Sequence, residues 1–197
     1  MSRDSKRRLW NVNPFPKNPR KPLAPAEIFE LDHALTNVFR MIRETRELNP
    51  VASHIKFPGL PAVFSESIVI AAANVLFGPG WKCRYGGNEC DVILESTDGT
   101  QTKRVEVKAT GHHAFQELKA KDLRADGLVW VRFGRRYEVG GGTIEVAVIE
   151  DPGKYVSSPR RLDVKRLNAI PGIKASQRVF RFESIEELIG KPSGLPA

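Results

Sequence analysis

The chemistry of this 197-residue chain is concentrated in two carboxylates and one lysine near its middle. Glu106 and Lys108 are separated by one residue, so on a β-strand both side chains point to the same face. Asp98-Gly99 is typical of a two-residue hairpin turn, and that turn puts Asp91 directly opposite Glu106. Carboxylates that face each other repel, and Glu89 adds a third, so the pattern indicates a site for a divalent cation such as Mg²⁺. Lys108 would then orient or activate a water molecule beside the ion.

These residues belong to a predicted meander of three short strands. Alternation of polar and apolar residues predicts the strands at 81–85, 88–96 and 101–110. If Gly86-Gly87 is also a two-residue turn, Cys83 pairs with Cys90. Both registers then agree on one apolar face, which consists of Trp81, Cys83, Tyr85, Cys90, Val92, Leu94, Val105 and Val107.

Helices and further strands surround the meander. Helices are predicted at 25–48, at 65–77 with Ser65 as the N-cap, and at about 114–124. Further strands are predicted at 128–133, 143–150 and 177–182. The basic segment 160–168 is compatible with a helix, and a capping box of Ser184 and Glu187 opens a short final helix. The second helix is apolar nearly all round, which leaves Glu66 in its first turn as a polar group that needs an explanation.

This order of elements and acids resembles the PD-(D/E)xK nuclease superfamily over about residues 60–150. The resemblance implies an α/β fold, an α+β mixed sheet, with an αβββαβ core and helices on both sides. It also implies metal ligation by Asp91, Glu106 and the Val107 carbonyl, with Glu66 as a further ligand and Lys108 as the catalytic lysine. The residue before Asp91 is cysteine, where the family motif has proline.

A purely structural interpretation of the same residues stays open. An exposed sheet face of mixed charge, with Lys82, Arg104 and Lys108 neutralising the acids, would show the same pattern. The acid-x-Lys triplet occurs three times, as Glu106-Val107-Lys108, Glu117-Leu118-Lys119 and Asp163-Val164-Lys165. Only the first has an acid opposite it in a predicted hairpin.

The formal charge of +8 is divided between two basic ends and a slightly acidic middle. This division favours a polyanionic partner held at the flanks, although a basic tail and a solvated helix face would also explain it. The residues predicted to contact phosphates are Arg3, Lys6, Arg7, Arg8, Lys17, Arg20, Lys21, Arg160 and Arg161. The predicted base readers are Arg132, Arg135 and Arg136, on a strand end and the loop after it.

Polar residues after the third strand are predicted to lie near the carboxylates. His113 is a candidate DNA contact, and His112, Gln116 and Glu89 could support the metal ligands, although a loop or a solvated helix face explains them equally simply. A nuclease built on histidine ligands would need more histidines nearby, and His33 and His54 are distant in sequence.

Taken together, the sequence predicts a Mg²⁺-dependent endonuclease acting on double-stranded DNA, with Mn²⁺ as a substitute metal. The closest expectation is a homodimeric type II restriction endonuclease; a structure-specific repair nuclease or Holliday-junction resolvase uses the same chemistry. A non-catalytic nucleic-acid-binding protein is the alternative of another class.

The expected organisation is a basic, proline-rich, extended arm at 1–24 and a single nuclease domain at 25–197, with a basic extension from 151. No apolar run is long enough to span a membrane, and no P-loop predicts a nucleotide cofactor. Two cysteines and no apolar leader behind the basic start predict a cytoplasmic location.

Overall fold

A computed structural model describes residues 21–87, 90–111 and 116–190 of the chain. It is a mixed α/β structure built on one six-stranded sheet and one two-stranded sheet. Its strands are β1 (Trp81–Tyr85), β2 (Val92–Ser96), β3 (Thr102–Thr110), β4 (Gln116–Leu118), β5 (Gly127–Arg132), β6 (Ile144–Glu150), β7 (Arg160–Leu162) and β8 (Gln177–Phe182).

The helices are mostly short, apart from the first. They are α1 (Pro25–Leu48), α2 (Ala62–Ala71), α3 (Ala73–Phe77), α4 (Arg136–Val139), α5 (Pro152–Tyr155), α6 (Val164–Asn168) and α7 (Ile185–Ile189). Single 3₁₀ turns lie at Pro50–His54, Asp122–Arg124 and Ile173–Ala175. None of the helices in these described ranges is long and apolar enough to cross a membrane.

The large sheet has the order β1-β2-β3-β5-β6-β8. Its first three strands form the predicted antiparallel meander, and β5 runs parallel to β3 before β6 and β8 return antiparallel. A parallel pair needs a crossover connection, and the described part of this one, residues 116–126, lies over one face of the sheet.

Each face of the sheet packs on its own hydrophobic core. The larger core joins the sheet to α1, α2 and α7 through residues such as Phe64, Val107 and Val129. The smaller core lies on the other face, where Leu128 and Trp130 pack against the β4–β7 sheet and the α6 region. Successive residues of β5 therefore alternate between the two cores, as the pleat of a strand requires.

The Gly86-Gly87 turn is not a two-residue turn, so the predicted pairing of Cys83 with Cys90 is wrong. Cys83 pairs with Leu94, because Tyr85 at the end of β1 pairs with Val92 at the start of β2. The Gly86 position is close to the Cys90 side chain and carbonyl, and a Cβ on residue 86 would overlap both. The register moves by an even number of residues, so the predicted apolar face keeps its side of the sheet.

Two helix predictions also need correction. The second helix begins at Ala62 with Pro61 as its N-cap, and Ser65 lies inside it, where its hydroxyl donates to the Ala62 carbonyl. The helix predicted at 114–124 is wrong over its described part, because residues 116–118 form β4 and pair with β7. Leu118 and Asp122 are both buried in this connection, so contacts with the sheet override the helical pattern.

Candidate functional site

The two carboxylates predicted to face each other do so in the structure. The Asp98-Gly99 turn is closed by a 2.9 Å hydrogen bond from Ser96 N to Gln101 O. The resulting register pairs Val92 with Val105, as predicted, and leaves Asp91 opposite Glu106 just before β2 begins. Asp91 Oδ2 accepts a 2.9 Å hydrogen bond from the backbone N–H of Val107, which holds this carboxylate against β3.

A lysine from the crossover connection lies between these carboxylates. Lys121 Nζ is 2.6 Å from Glu106 Oε2 and 3.4 Å from Asp91 Oδ1. The Glu106 side chain is 1% exposed and that of Asp91 is 19% exposed, whereas Lys121 reaches in from a side chain that is 48% exposed. One ammonium group therefore offsets the repulsion between two closely placed acids.

The second lysine of the site, Lys108, is held by an aspartate. Its Nζ lies 2.8 Å from Asp122 Oδ1, with side chains 12% and 0% exposed. The contact is an ion pair rather than a well-aligned hydrogen bond, since Oδ1 lacks a hydrogen-bond partner of good geometry in the described chain. The other oxygen, Oδ2, accepts a 2.7 Å hydrogen bond from Lys119 N, so the connection itself fixes Asp122 in place.

Burial and charge shift the protonation of the carboxylate pair. Burial raises the pKa of Glu106 from 4.5 to about 7, and the negative charge of Asp91 acts in the same direction, while Lys121 opposes both. Burial lowers the pKa of Lys121, but its hydrogen bond to Glu106 and the two negative charges outweigh burial and raise it overall. Glu106 is therefore harder to ionise than an ordinary glutamic acid while Lys121 is the cation beside it.

The donor set fits a hard divalent cation. Asp91 and Glu106 supply carboxylate oxygens that converge on one positively charged atom, and Mg²⁺ is commonly bound by one or two carboxylates together with water. Across 21–87, 90–111 and 116–190, no group of three or more acidic, histidine or cysteine side chains is placed to hold a metal. Glu66, buried in α2, is therefore not gathered with the other two acids into such a group.

Several predicted site residues lie outside the described part of the chain. These are Glu89, His112, His113 and the arm residues Arg3, Lys6, Arg7, Arg8, Lys17 and Arg20. Lys21 is described and exposed. Gln116 begins β4 rather than lying on a helix, and Arg160 and Arg161 are exposed on β7, which pairs with β4.

The three arginines predicted to read bases do not act as one group. Arg136 is used within the fold. It forms an ion pair with Asp32 of α1 at 3.3 Å and donates hydrogen bonds to the carbonyls of Gly142 and Glu183. Arg135 is exposed and lies 3.4 Å from Glu138. Arg132 is buried beside Trp130, on the sheet face that carries Lys108.

Sequence reasoning missed Lys121 and Asp122. Both lie in the segment interpreted as a polar helix, where only Gln116 was considered. The available signal was the αβββαβ order implied by the resemblance, since a connection that crosses the sheet must place some of its polar residues over the strand it leaves, although the order does not say which ones. Comparison of the chain with family models, with curated proteins and with solved structures finds no match.

Proposed function

We propose that this protein is a Mg²⁺-dependent endonuclease that hydrolyses phosphodiester bonds in double-stranded DNA. One observation carries the proposal: Asp91 and Glu106 converge on a single cationic atom, and Lys108 follows two residues later on the same face. Oxygen ligands beside a partly buried lysine are suited to phosphoryl transfer, in which catalysis is mainly positioning and charge stabilisation.

The order of elements supports the same proposal. A buried helix, α2, precedes the three-stranded meander, and a crossover leads to β5 parallel to β3. This order resembles the αβββαβ core of the PD-(D/E)xK superfamily, with β4 and a 3₁₀ turn in the described part of the connection where that core has a helix. We propose a restriction-endonuclease-like core on this basis, acting as a homodimer that cuts both strands.

Asp91, Glu106 and the Val107 carbonyl would hold the cation. Mg²⁺ bound there supplies a Lewis acid that polarises a phosphate oxygen and neutralises developing negative charge. Asp91 is already oriented by the Val107 N–H, so it needs little reordering to bind.

Lys108 acts on the phosphate itself. Its Nζ donates a hydrogen bond to a non-bridging oxygen and stabilises negative charge as water attacks in line. Asp122 positions this ammonium group, whose side chain is only 12% exposed.

Lys121 acts before the cation arrives. Its ammonium neutralises much of the charge on Asp91 and Glu106, so the metal-free site remains folded. A divalent cation and Lys121 compete for the same oxygens, and the exposed stem of Lys121 allows the side chain to move away into solvent.

The test is incubation of the protein with plasmid and phage DNA, with Mg²⁺ or with EDTA. The variants are Lys108→Ala and a matched control, Lys103→Ala, which removes a lysine from the opposite face of β3. We expect Mg²⁺-dependent cleavage that is retained in Lys103→Ala and reduced at least about a thousandfold in Lys108→Ala.

The products separate the related functions. Discrete bands indicate a sequence-specific restriction enzyme, and mapping their ends gives the recognition site. Nicked circles or a smear indicate a repair nuclease or a junction resolvase. Salt-sensitive retardation without any product would overturn the proposal in favour of a nucleic-acid-binding protein.

A further inference from the structure

A polar cleft lies beside the carboxylate–lysine site on the same face of the large sheet. Its main cavity has a volume of about 560 Å³, and a second cavity of about 340 Å³ shares Arg132, Glu145, Val164 and Arg181 with it. Thr110 and Trp130 line the main cavity; Thr110 is two residues beyond Lys108 on β3, and Trp130 is the register partner of Lys108 on β5. The cleft therefore begins next to Lys108, about 7 Å along the strand at 3.3 Å per residue.

Arg132 is the feature of this cleft that points to a ligand. Its side chain is only 8% exposed, and Nη2 forms an ion pair with Glu145. Nε and Nη1 are buried and have no hydrogen-bond partner among the described residues. Unpaired donors on a buried guanidinium are costly, so the structure holds two strong donors ready for an acceptor.

The charges around Arg132 favour an anion. Arg181 lies 3.0 Å from Glu145 and is 73% exposed, so this one carboxylate is shared between two arginines. Lys165 is the third cationic side chain that lines the main cavity, beside Arg132 and Arg181. Lys174 lines the second cavity together with the same two arginines. Asp163 is the other acid in the lining, and one of its oxygens is already used to cap α6 through Arg166 N at 2.7 Å.

We propose that this cleft binds a phosphate group, with an unpartnered N–H of Arg132, at Nε or Nη1, as the central donor and Lys165 and Arg181 at the rim. Nε and Nη1 lie on different edges of the planar guanidinium, so either can donate a directed, charge-assisted hydrogen bond to a phosphate oxygen while Nη2 stays on Glu145. The inference rests on the proposed function in one respect: the phosphate is that of the bound strand, next to the one that is cut. A free nucleotide or inorganic phosphate presents the same chemistry, and the test distinguishes these sources.

The experiment measures binding without cleavage, in EDTA, to three probes: a 12-base-pair duplex, a deoxynucleoside monophosphate and inorganic phosphate. The variants are Arg132→Lys, which keeps the charge but loses the Nε and Nη1 donors of the guanidinium, together with Arg181→Ala and Lys165→Ala at the exposed rim. The matched control is Arg178→Ala, which removes an arginine that is 50% exposed on the opposite face of β8.

We expect the duplex to bind about tenfold more weakly to Arg132→Lys, and its salt dependence to fall by about one ion in Arg181→Ala and in Lys165→Ala. Arg178→Ala should bind like the wild type. If the small probes also bind, and do so more weakly in Arg132→Lys, the cleft takes a free phosphate compound. If only the duplex binds, the ligand of the cleft is a phosphate group of the DNA strand.

Unchanged binding of every probe in Arg181→Ala and Lys165→Ala would overturn the inference, even if Arg132→Lys failed to fold. The two proposals fail separately. A protein that cleaves DNA but shows no effect of the rim variants keeps the proposed function and loses the phosphate cleft. A protein that shows these binding effects but never cleaves DNA keeps the cleft and loses the nuclease.

Discussion

The two faces of the six-stranded sheet use the same strand for different purposes. Toward α1 and α2, β3 presents Val105 and Val107, which are buried in the larger core. Toward the crossover connection, the alternating residues are Glu106, Lys108 and Thr110. Burying charged groups costs free energy that burying valine does not, so this second face stabilises the fold less than an apolar face would. The function proposed for this face, a site for chemistry, would account for the difference.

The largest effect on stability is expected on the apolar face. Phe64 is fully buried in α2 and stacks on Phe133, with ring centroids 5.8 Å apart. Phe64→Ala should lower the free energy of unfolding by about 4 kcal/mol, measured by urea denaturation, because it removes apolar contacts and leaves a cavity. Phe64→Leu is the control and should cost about 1 kcal/mol. A loss below 1 kcal/mol for the alanine variant would contradict the described packing.

On the charged face, breaking an ion pair should lower the free energy of unfolding by less than Phe64→Ala does. Replacing both partners of the pair by apolar residues should lower it only slightly. Asp122→Asn leaves the Lys108 ammonium without its counter-charge and should destabilise the protein by about 3 kcal/mol. The double variant Lys108→Met with Asp122→Leu should recover most of this stability and none of the cleavage. Additive losses in the double variant would argue against direct pairing of the two side chains.

A pH dependence of about 3 kcal/mol is expected from Glu106. Its pKa rises from 4.5 to about 7 on folding, so between these values the folded protein binds more protons than the unfolded chain. The metal-free wild type should therefore lose stability, relative to Glu106→Gln, as the pH rises from about 4.5 to about 7, and the difference should level off above that. A difference that is flat with pH would show that burial does not shift this carboxyl group.

The smallest of these effects concerns the lysine that competes with the metal. Lys121→Met should raise the affinity for Mg²⁺ about tenfold, because the cation no longer displaces an ammonium group from Asp91 and Glu106. Calorimetric titration of the metal-free protein measures this. The control is Lys119→Met, which leaves the backbone contact of residue 119 with Asp122 intact. Weaker Mg²⁺ binding in Lys121→Met would mean that the lysine assists the metal.

Local patterns predicted the meander and one of its registers. The Asp98-Gly99 turn has its glycine at φ +72°, a conformation that suits glycine, and alternation on both sides then determines which residues face each other. Gly86-Gly87 has the same appearance in sequence, but the strands on either side of it pair in another register, and Gly86 packs closely against Cys90. A contact made only in the folded chain cannot be inferred from the dipeptide.

The crossover connection shows the same limit at the site itself. Its polar pattern favours a helix, yet Leu118 pairs into a strand and Asp122 is fully buried under Lys108. Asp91, Glu106 and Lys108 could be predicted because strand pairing alone brings them together. Lys121 and Asp122 could not, because their position depends on how the connection crosses the sheet.

Mn²⁺ binding to the metal-free protein, monitored by electron paramagnetic resonance, tests most directly whether the charged face is a cation site. The wild type is compared with Asp91→Asn, Glu106→Gln and a control, Glu95→Gln, in which an exposed carboxylate of β2 paired with Arg84 is neutralised. We expect saturable binding in the wild type and the control, and at least a tenfold loss in Asp91→Asn and in Glu106→Gln. Equal binding by all four proteins, or none by the wild type, would contradict this expectation.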